Sequence, residues 1–196
     1  MITSRFSKAF TFAANLHAQQ TRKGTTIPYI AHLMAVAAIV LEHGGTEDQA
    51  IAALLHDTIE DQGQHFAGGV DGLRVEIERA FGTAVLSIVE ACTDADTIPK
   101  PPWRARKEAY VAHIRTAPAE ALMVSCADKL HNARAILRDY RTIGEALWPR
   151  FTGGKEGTLW YYQALVDAFQ SNPETPRSLV AELAQTVAQI TEMVHS

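Results

Sequence analysis

Apolar residues recur at helical spacing along most of this chain. Phe6, Phe10, Ala13 and Leu16 fall on one face of an N-terminal segment, and Leu179, Leu183, Val187 and Ile190 do so in a final segment from about Thr175 to Val194. Side chains three or four positions apart meet on one side of an α-helix, so each series predicts an amphipathic helix with its apolar stripe turned inward. Breakers mark the ends of the other segments. Pro28 has the φ suited to a helix start, and Tyr29 to His43 then runs without interruption to Gly44-Gly45. Thr46-Glu47-Asp48-Gln49 reads as an N-cap followed by acidic first-turn residues, opening a helix expected to continue through Ala50 to about Asp61. Gln62 to Gly72 is glycine-rich and predicts a flexible connection before a helix over Leu73 to Phe81, and Val85, Ile88, Val89 and Cys92 predict another after Gly82.

Further along, Ile98-Pro99-Lys100-Pro101-Pro102 interrupts the chain ahead of a helix from Trp103 to Thr116. Pro118 sets the next boundary, and Ala119 to about Tyr140 follows as one helix. A loop rich in glycine and charge, Phe151 to Gly157, leads to Thr158 to Phe169. With no alternating strand series, repeat or low-complexity tract, the expected fold class is all-α. The expected organisation is one domain over residues 1–196, with a motif-bearing core at about 6–140 and C-terminal packing helices at 158–194.

Composition narrows the function classes. A chain of 196 residues that is 47% hydrophobic can bury one sizeable core. Its net charge of −4 argues against extended nucleic acid as a partner, because such binders neutralise phosphates with a basic surface, yet a local basic cluster around a small anion stays open. Cys92 and Cys126 form neither a CxxC pair nor a disulfide framework, which points to a reducing compartment and the cytoplasm. The N-terminus lacks the unbroken apolar stretch of a secretory signal. The best membrane candidate, Tyr29 to Leu41, is shorter than the roughly 18 to 20 apolar residues of a span and contains His32, so no membrane association is expected.

Chemistry concentrates in three stretches. Ala53-Leu54-Leu55-His56-Asp57-Thr58-Ile59-Glu60-Asp61, read with His32 upstream and Cys126-Ala127-Asp128-Lys129-Leu130-His131-Asn132 downstream, offers two histidines and two aspartates to one metal ion. Burying a His-Asp pair after an apolar run is costly unless both side chains find partners, and a divalent cation supplies one for each. Spacing of four relates His56 to Glu60, Asp57 to Asp61 and Asp128 to Asn132, so two helices are expected to converge on the site while His32 enters from a third. Imidazole and carboxylate together suit Mn²⁺, Fe²⁺, Co²⁺ or Zn²⁺. Such an ion lowers the pKa of a bound water and polarises a phosphoryl oxygen. One of Glu60 and Asp61 is better used to orient or deprotonate that water than as a further ligand.

The pattern H…HD…D, here His32, His56-Asp57 and Asp128, resembles the HD-domain metal-dependent phosphohydrolases. Three additions sharpen the likeness: Arg22-Lys23-Gly24 before Pro28-Tyr29-Ile30-Ala31-His32, the Glu60-Asp61 pair after HD, and Ala127-Asp128-Lys129-Leu130-His131-Asn132. Together they are similar to the hydrolase domain of the RelA/SpoT homologue superfamily, particularly its stand-alone small alarmone hydrolases, over about Phe6 to Tyr140. The resemblance implies an HD-type helical fold and Mn²⁺-dependent removal of the 3′-pyrophosphate of guanosine tetraphosphate or pentaphosphate. It implies His32, His56, Asp57 and Asp128 as metal ligands and Glu60 and Asp61 in water activation. It further implies Arg22 stacked on the base, Lys23 beside it and Asn132 at the nucleotide sugar.

Lys155, Trp160 and Tyr161 are candidates for a phosphate contact and an aromatic wall, set against a packing role in a helix. His17, His43, His65 and His113 read as surface or structural residues, and His131 as a packing residue. The Gln62 to Gly72 stretch is longer and more glycine-rich than the connection usual in these hydrolases, and with 196 residues the synthetase and regulatory domains of the long alarmone enzymes, and hence synthesis, are not expected. The partner expected is a small-molecule nucleotide. Two alternatives stay open: hydrolysis of another nucleotide (an adenine alarmone, a nucleoside phosphate or a phosphorylated dinucleotide cofactor), and a non-catalytic nucleotide sensor. Oligomeric state is not legible.

Overall fold

Why the chain forms these helices is visible at their ends. In a computed structural model that describes residues 1–93 and 99–195, α1 (Ser4–Leu16) starts where the Thr3 hydroxyl accepts the Arg5 N–H. The next helix, α2 (Ile30–Glu42), comes after the Pro28 turn. Thr46 and Gln49 form a reciprocal capping box at the start of α3 (Glu47–Leu55), satisfying two backbone N–H groups that the first turn leaves without helical partners. Every residue of α3 from Gln49 to Leu55 is buried, and the helix packs against α1, α2 and two later helices. Fully burying a leucine such as Leu54 or Leu55 contributes about 1.5 to 3 kcal/mol, so this central helix is a rigid mount for the residues at its C-terminal end.

The single helix expected from Thr46 to Asp61 is in fact two. It stops at Leu55 and restarts as α4 (Thr58–Gln62), because the Thr58 hydroxyl takes the Leu55 carbonyl at 2.5 Å in place of a continuing helical N–H. His56 and Asp57 therefore occupy a corner between two helices rather than the last turn of one. The stretch from Gln62 to Gly72 is also more ordered than its glycine content predicts. A 3₁₀ turn spans Gly63–His65, and α5 (Gly69–Phe81) begins four residues before the expected Leu73. Gly68 and Gly69 sit at φ +85° and +68°, while Gly72 lies inside the helix where a Cβ would meet the Ala67 carbonyl oxygen at 2.5 Å. Glycine serves close approach there, not looseness.

The chain continues through α6 (Thr83–Cys92), α7 (Trp103–Ile114) and the long α8 (Ala119–Ile143). Of the expected interruption before Trp103, Ile98 lies outside the described residues. After a 3₁₀ segment, Gly144–Arg150, come α9 (Gly154–Ser171) and α10 (Arg177–His195). The start of α9 corrects the loop expected through Gly157. A Cβ on Gly153 would meet the Trp103 indole at 2.5 Å and one on Gly157 at 3.1 Å, so these glycines admit the ring against a helix start. Among the described residues there is no β-strand, only an isolated bridge between Thr21 and Pro28. None of the described helices is long and apolar enough to cross a membrane.

Candidate functional site

Four side chains meet where α2, the corner between α3 and α4, and α8 converge. His32 comes from the first turn of α2, His56 and Asp57 from the corner, and Asp128 from the middle of α8. His56 Nε2 lies 3.0 Å from Asp57 Oδ2 and 3.6 Å from Asp128 Oδ1; His32 Nε2 lies 3.5 and 3.2 Å from the same two oxygens. Both imidazoles and Asp128 are buried, while Asp57 keeps 23% of its side chain exposed. Neither Nε2 has a hydrogen-bond partner among the described residues. The other ring nitrogens are engaged. His56 Nδ1 lies 2.8 Å from the Ala53 carbonyl, so Nδ1 carries a hydrogen and the lone pair of the neutral ring falls on Nε2.

Two buried imidazole nitrogens without partners and the Asp57 carboxylate lie within 4.8 Å of one another, a donor set that fits a divalent cation, and Asp128 Oδ1 lies within 3.6 Å of both nitrogens. Without such a cation, protons take up part of that role. Burial pulls His56 down, but Asp57 and Asp128 more than offset it and hold the imidazole well above its usual range. Burial likewise raises Asp57 and Asp128, yet His56 and His32 at the first and Lys129 together with both histidines at the second keep them well below ordinary carboxylates. Lys129 Nζ donates to Asp128 Oδ2 at 2.6 Å. Tyr29 donates its hydroxyl to Asp57 Oδ2, and burial with Asp57 beside it pushes the phenol upward, so it stays a donor.

The two acids after the HD pair are separated in role. Glu60 accepts from Lys100 Nζ at 2.7 Å. Asp61 accepts from Gln20 Nε2 at 2.7 Å, and burial, then the charge of Asp57, pushes its carboxyl up to about 6. Gln20 is itself held, since its Oε1 takes Gln62 Nε2 at 2.7 Å and faces His17 Nδ1 at 2.6 Å. His17 is buried and stacks on Tyr29 with ring centroids 5.2 Å apart.

Beside this cluster opens a cavity of about 410 Å³. Its wall carries Arg22, Lys23, Arg106, Lys107, Lys129, Arg138 and Arg150 against Glu60 and Asp139, a strongly positive lining in a chain of net charge −4. Tyr29, Lys129 and Asn132 line it as well and each bonds an aspartate of the cluster, so the cluster is tied to the cavity wall through these three side chains. The Arg22 loop is closed by Arg22 N–H to Ile27 O at 2.8 Å and Tyr29 N–H to Gln20 O at 2.9 Å. Arg150 lies across Gly24, where a Cβ would come within 2.9 Å of its Cδ.

Of the residues singled out from the sequence, His32, His56, Asp57 and Asp128 are brought together, with Glu60, Asp61, Arg22, Lys23, Asn132 and Tyr161 around them or on the cavity wall. Lys155 is not, because its ammonium is paired with Glu145 at 2.8 Å and does not line the cavity. Trp160 faces the Arg104 guanidinium, 3.3 Å from its ring centroid, and does not line the cavity either. Tyr29, Lys129, His17, Gln20 and His131 were not singled out as site residues. Tyr29 and Lys129 stand beside motif residues, a usable signal, but His17 and Gln20 reach the site only through closure of the Arg22 loop. His131 does not merely pack; its Nδ1 lies 2.7 Å from His32 Nδ1.

A profile of the HD domain matches residues 9–158. Over 134 residues the chain is 42% identical to guanosine-3′,5′-bis(diphosphate) 3′-pyrophosphohydrolase MESH1 of Xenopus tropicalis, covering 67% of this chain and 69% of that protein. The Homo sapiens protein of the same name is 40% identical over 136 residues, with the same coverage of 67% and 69%. In fold, the chain is similar to a metazoan orthologue of SpoT described as hydrolysing ppGpp, with a TM-score of 0.75 over 96% of this chain and 97% of the other at 23% identity.

Proposed function

The chain belongs to the HD-domain family, and we propose that it removes the 3′-pyrophosphate from guanosine tetraphosphate or pentaphosphate, giving GDP or GTP and pyrophosphate. One observation carries this reading: the partnerless Nε2 atoms of His32 and His56, with Asp57 and Asp128, lie behind Tyr29, Lys129 and Asn132, which bond the two aspartates and line a cavity whose wall is predominantly cationic. A substrate with phosphates at both 3′ and 5′ positions needs such a wall to offset its charge, and a cation site where one phosphorus is attacked.

His32, His56, Asp57 and Asp128 would hold the cation, which we take to be Mn²⁺. When bound it supplies a Lewis acid and lowers the pKa of a water. The attacking water forms a bond to the phosphorus attached to O3′, the P–O3′ bond breaks, and O3′ takes a proton from solvent to leave as the ribose hydroxyl, while the proton lost by the water passes through Asp61 to solvent. Asp61 is placed to accept the water's proton, and Gln20 fixes its orientation. Glu60, anchored by Lys100, completes the hydrogen-bond network around that water. Tyr29 and Lys129 keep the two aspartates ionised and aimed. Arg22 presents its guanidinium to the purine with Lys23 beside it, Asn132 faces the sugar, and Tyr161 walls the pocket. Lys155 has no part in this assignment.

The test is incubation of the full chain with guanosine tetraphosphate and Mn²⁺, with pyrophosphate and GDP identified as products, against a chelated control and the adenine analogue. Absence of metal-dependent pyrophosphate release from the guanine substrate would sink the proposal. Preferential turnover of the adenine compound would move it to the other alarmone. The presence of both the ligand set and the two water-activating acids favours an enzyme over a non-catalytic sensor.

A further inference from the structure

His131 stands one turn beyond Asp128 on α8, and its Nδ1 lies 2.7 Å from Nδ1 of His32 on α2. Two imidazole nitrogens at that separation share one hydrogen, so one ring donates and the other presents a lone pair. The other end of His32 decides the direction. Its Nε2 is buried, lacks a hydrogen-bond partner among the described residues and faces Asp57 Oδ2 at 3.5 Å and Asp128 Oδ1 at 3.2 Å. A cation held by these atoms requires the lone pair on Nε2, which places the hydrogen on Nδ1.

We infer that His131 is a positioning residue for His32, its Nδ1 lone pair accepting the His32 Nδ1–H and thereby fixing both the tautomer and the ring orientation that a metal requires. This rests on the metal site in the proposed function. The comparison with His56 shows why a side chain is needed. His56 obtains the same service from its own helix, donating Nδ1–H to the Ala53 carbonyl three residues back. For His32 the carbonyl three residues back belongs to Tyr29, which already accepts the His32 backbone N–H at 2.9 Å. The acceptor comes instead from α8, so one turn of that helix provides both the ligand Asp128 and the group that orients a ligand on α2. Removing it disturbs one ligand and leaves His56, Asp57 and Asp128 with their own partners.

The experiment uses the chelator-stripped full chain as wild type, His131→Leu and His131→Gln. Leucine fills the volume without an acceptor, whereas glutamine retains an acceptor oxygen. Mn²⁺ affinity is measured by calorimetry at one pH. Imidazole nitrogens of the wild type are assigned by long-range ¹H–¹⁵N spectra with diamagnetic Zn²⁺ bound. Expected are a loss of roughly 10- to 100-fold in Mn²⁺ affinity for His131→Leu, partial recovery in His131→Gln, and a His32 Nδ1–H facing an unprotonated His131 Nδ1. Wild-type affinity in His131→Leu, equal losses in both variants, or a hydrogen on His131 Nδ1 would overturn the inference while leaving the metal site standing. Failure of the wild type to bind either ion would overturn the metal site and this inference together.

Discussion

Arg22 and Asn132, separated by 110 positions in the chain, are joined by a hydrogen bond of 2.5 Å from Arg22 Nη2 to Asn132 Oδ1. Asn132 in turn donates through Nδ2 to Asp128 Oδ1. The loop proposed to receive the base and the carboxylate proposed to hold the metal are thus two hydrogen bonds apart. Arg22 also lies 5.8 Å from the Tyr29 ring centroid, and Tyr29 bonds Asp57. Both aspartates are therefore reached from one guanidinium.

Arg22→Ala is expected to weaken productive binding of guanosine tetraphosphate while leaving metal in place, because Asn132, Lys129 and Tyr29 still support the aspartates. Loss of a stacking contact corresponds to about 1 to 2 kcal/mol, or roughly tenfold in affinity. Arg22→Lys should recover only part, since charge returns without the planar fork. Steady-state hydrolysis of guanosine tetraphosphate and of a small phosphate ester lacking a base distinguishes the outcomes. Equal losses on both substrates would count against base stacking.

Asp57→Ala and Asp128→Ala should each abolish metal-dependent turnover with helical content retained. Each removes an anionic oxygen that lies within 3.6 Å of both orphaned imidazole nitrogens. Metal content and circular dichroism are read on the same samples, and full occupancy with normal turnover in both variants would reject the site. Glu60→Gln, by contrast, should keep its metal and lose rate, since the side chain retains its shape and loses the charge paired with Lys100. Metal loss equal to that of Asp57→Ala would make Glu60 a ligand.

Metal binding should release protons. Below its raised pKa the His56 imidazole is charged in the metal-free protein, and that hydrogen must leave before Nε2 can coordinate. Mn²⁺ affinity is therefore expected to rise with pH up to that value. Calorimetric titration in two buffers of different ionisation enthalpy counts the released protons, and identical heats in both would contradict the expectation.

Asp61 makes a stability prediction with a definite sign. Its carboxyl is pushed up to about 6 in the folded protein, against roughly 3.9 for an unperturbed aspartate. Between those values the unfolded chain loses its proton first, so the metal-free protein should become less stable as pH rises through that window and recover nothing above it. Asp61→Asn removes the penalty. A pKa difference of about two corresponds to at most about 3 kcal/mol, and each kcal/mol moves the melting temperature of a chain of this length by roughly 2 to 4 °C, so the variant is expected to melt several degrees above wild type at pH 8 and to match it near pH 4. Thermal unfolding at both pH values in the presence of chelator provides the check; a lower melting temperature at pH 8 would contradict it.

The helical class and most helix boundaries are legible in the linear chain, because apolar spacing, Pro28, Pro118 and the Thr46–Gln49 box act over a few residues. So are the four residues that converge, since a buried His-Asp pair within an apolar run is improbable without partners. The remainder depends on contacts that spacing does not encode. The break at His56-Asp57 is made by the Thr58 hydroxyl competing for one carbonyl, a choice that helical periodicity does not register. Glycines at 72, 153 and 157 look like loop formers in a linear reading but answer to steric demands from Ala67 and Trp103. Lys155 reads as available for phosphate until the fold sets Glu145 beside it, and His131 reads as packing until α8 sets its Nδ1 against His32. Local pattern dictates which helices form, whereas the proton positions and pairings that tune the site are decided only when those helices dock.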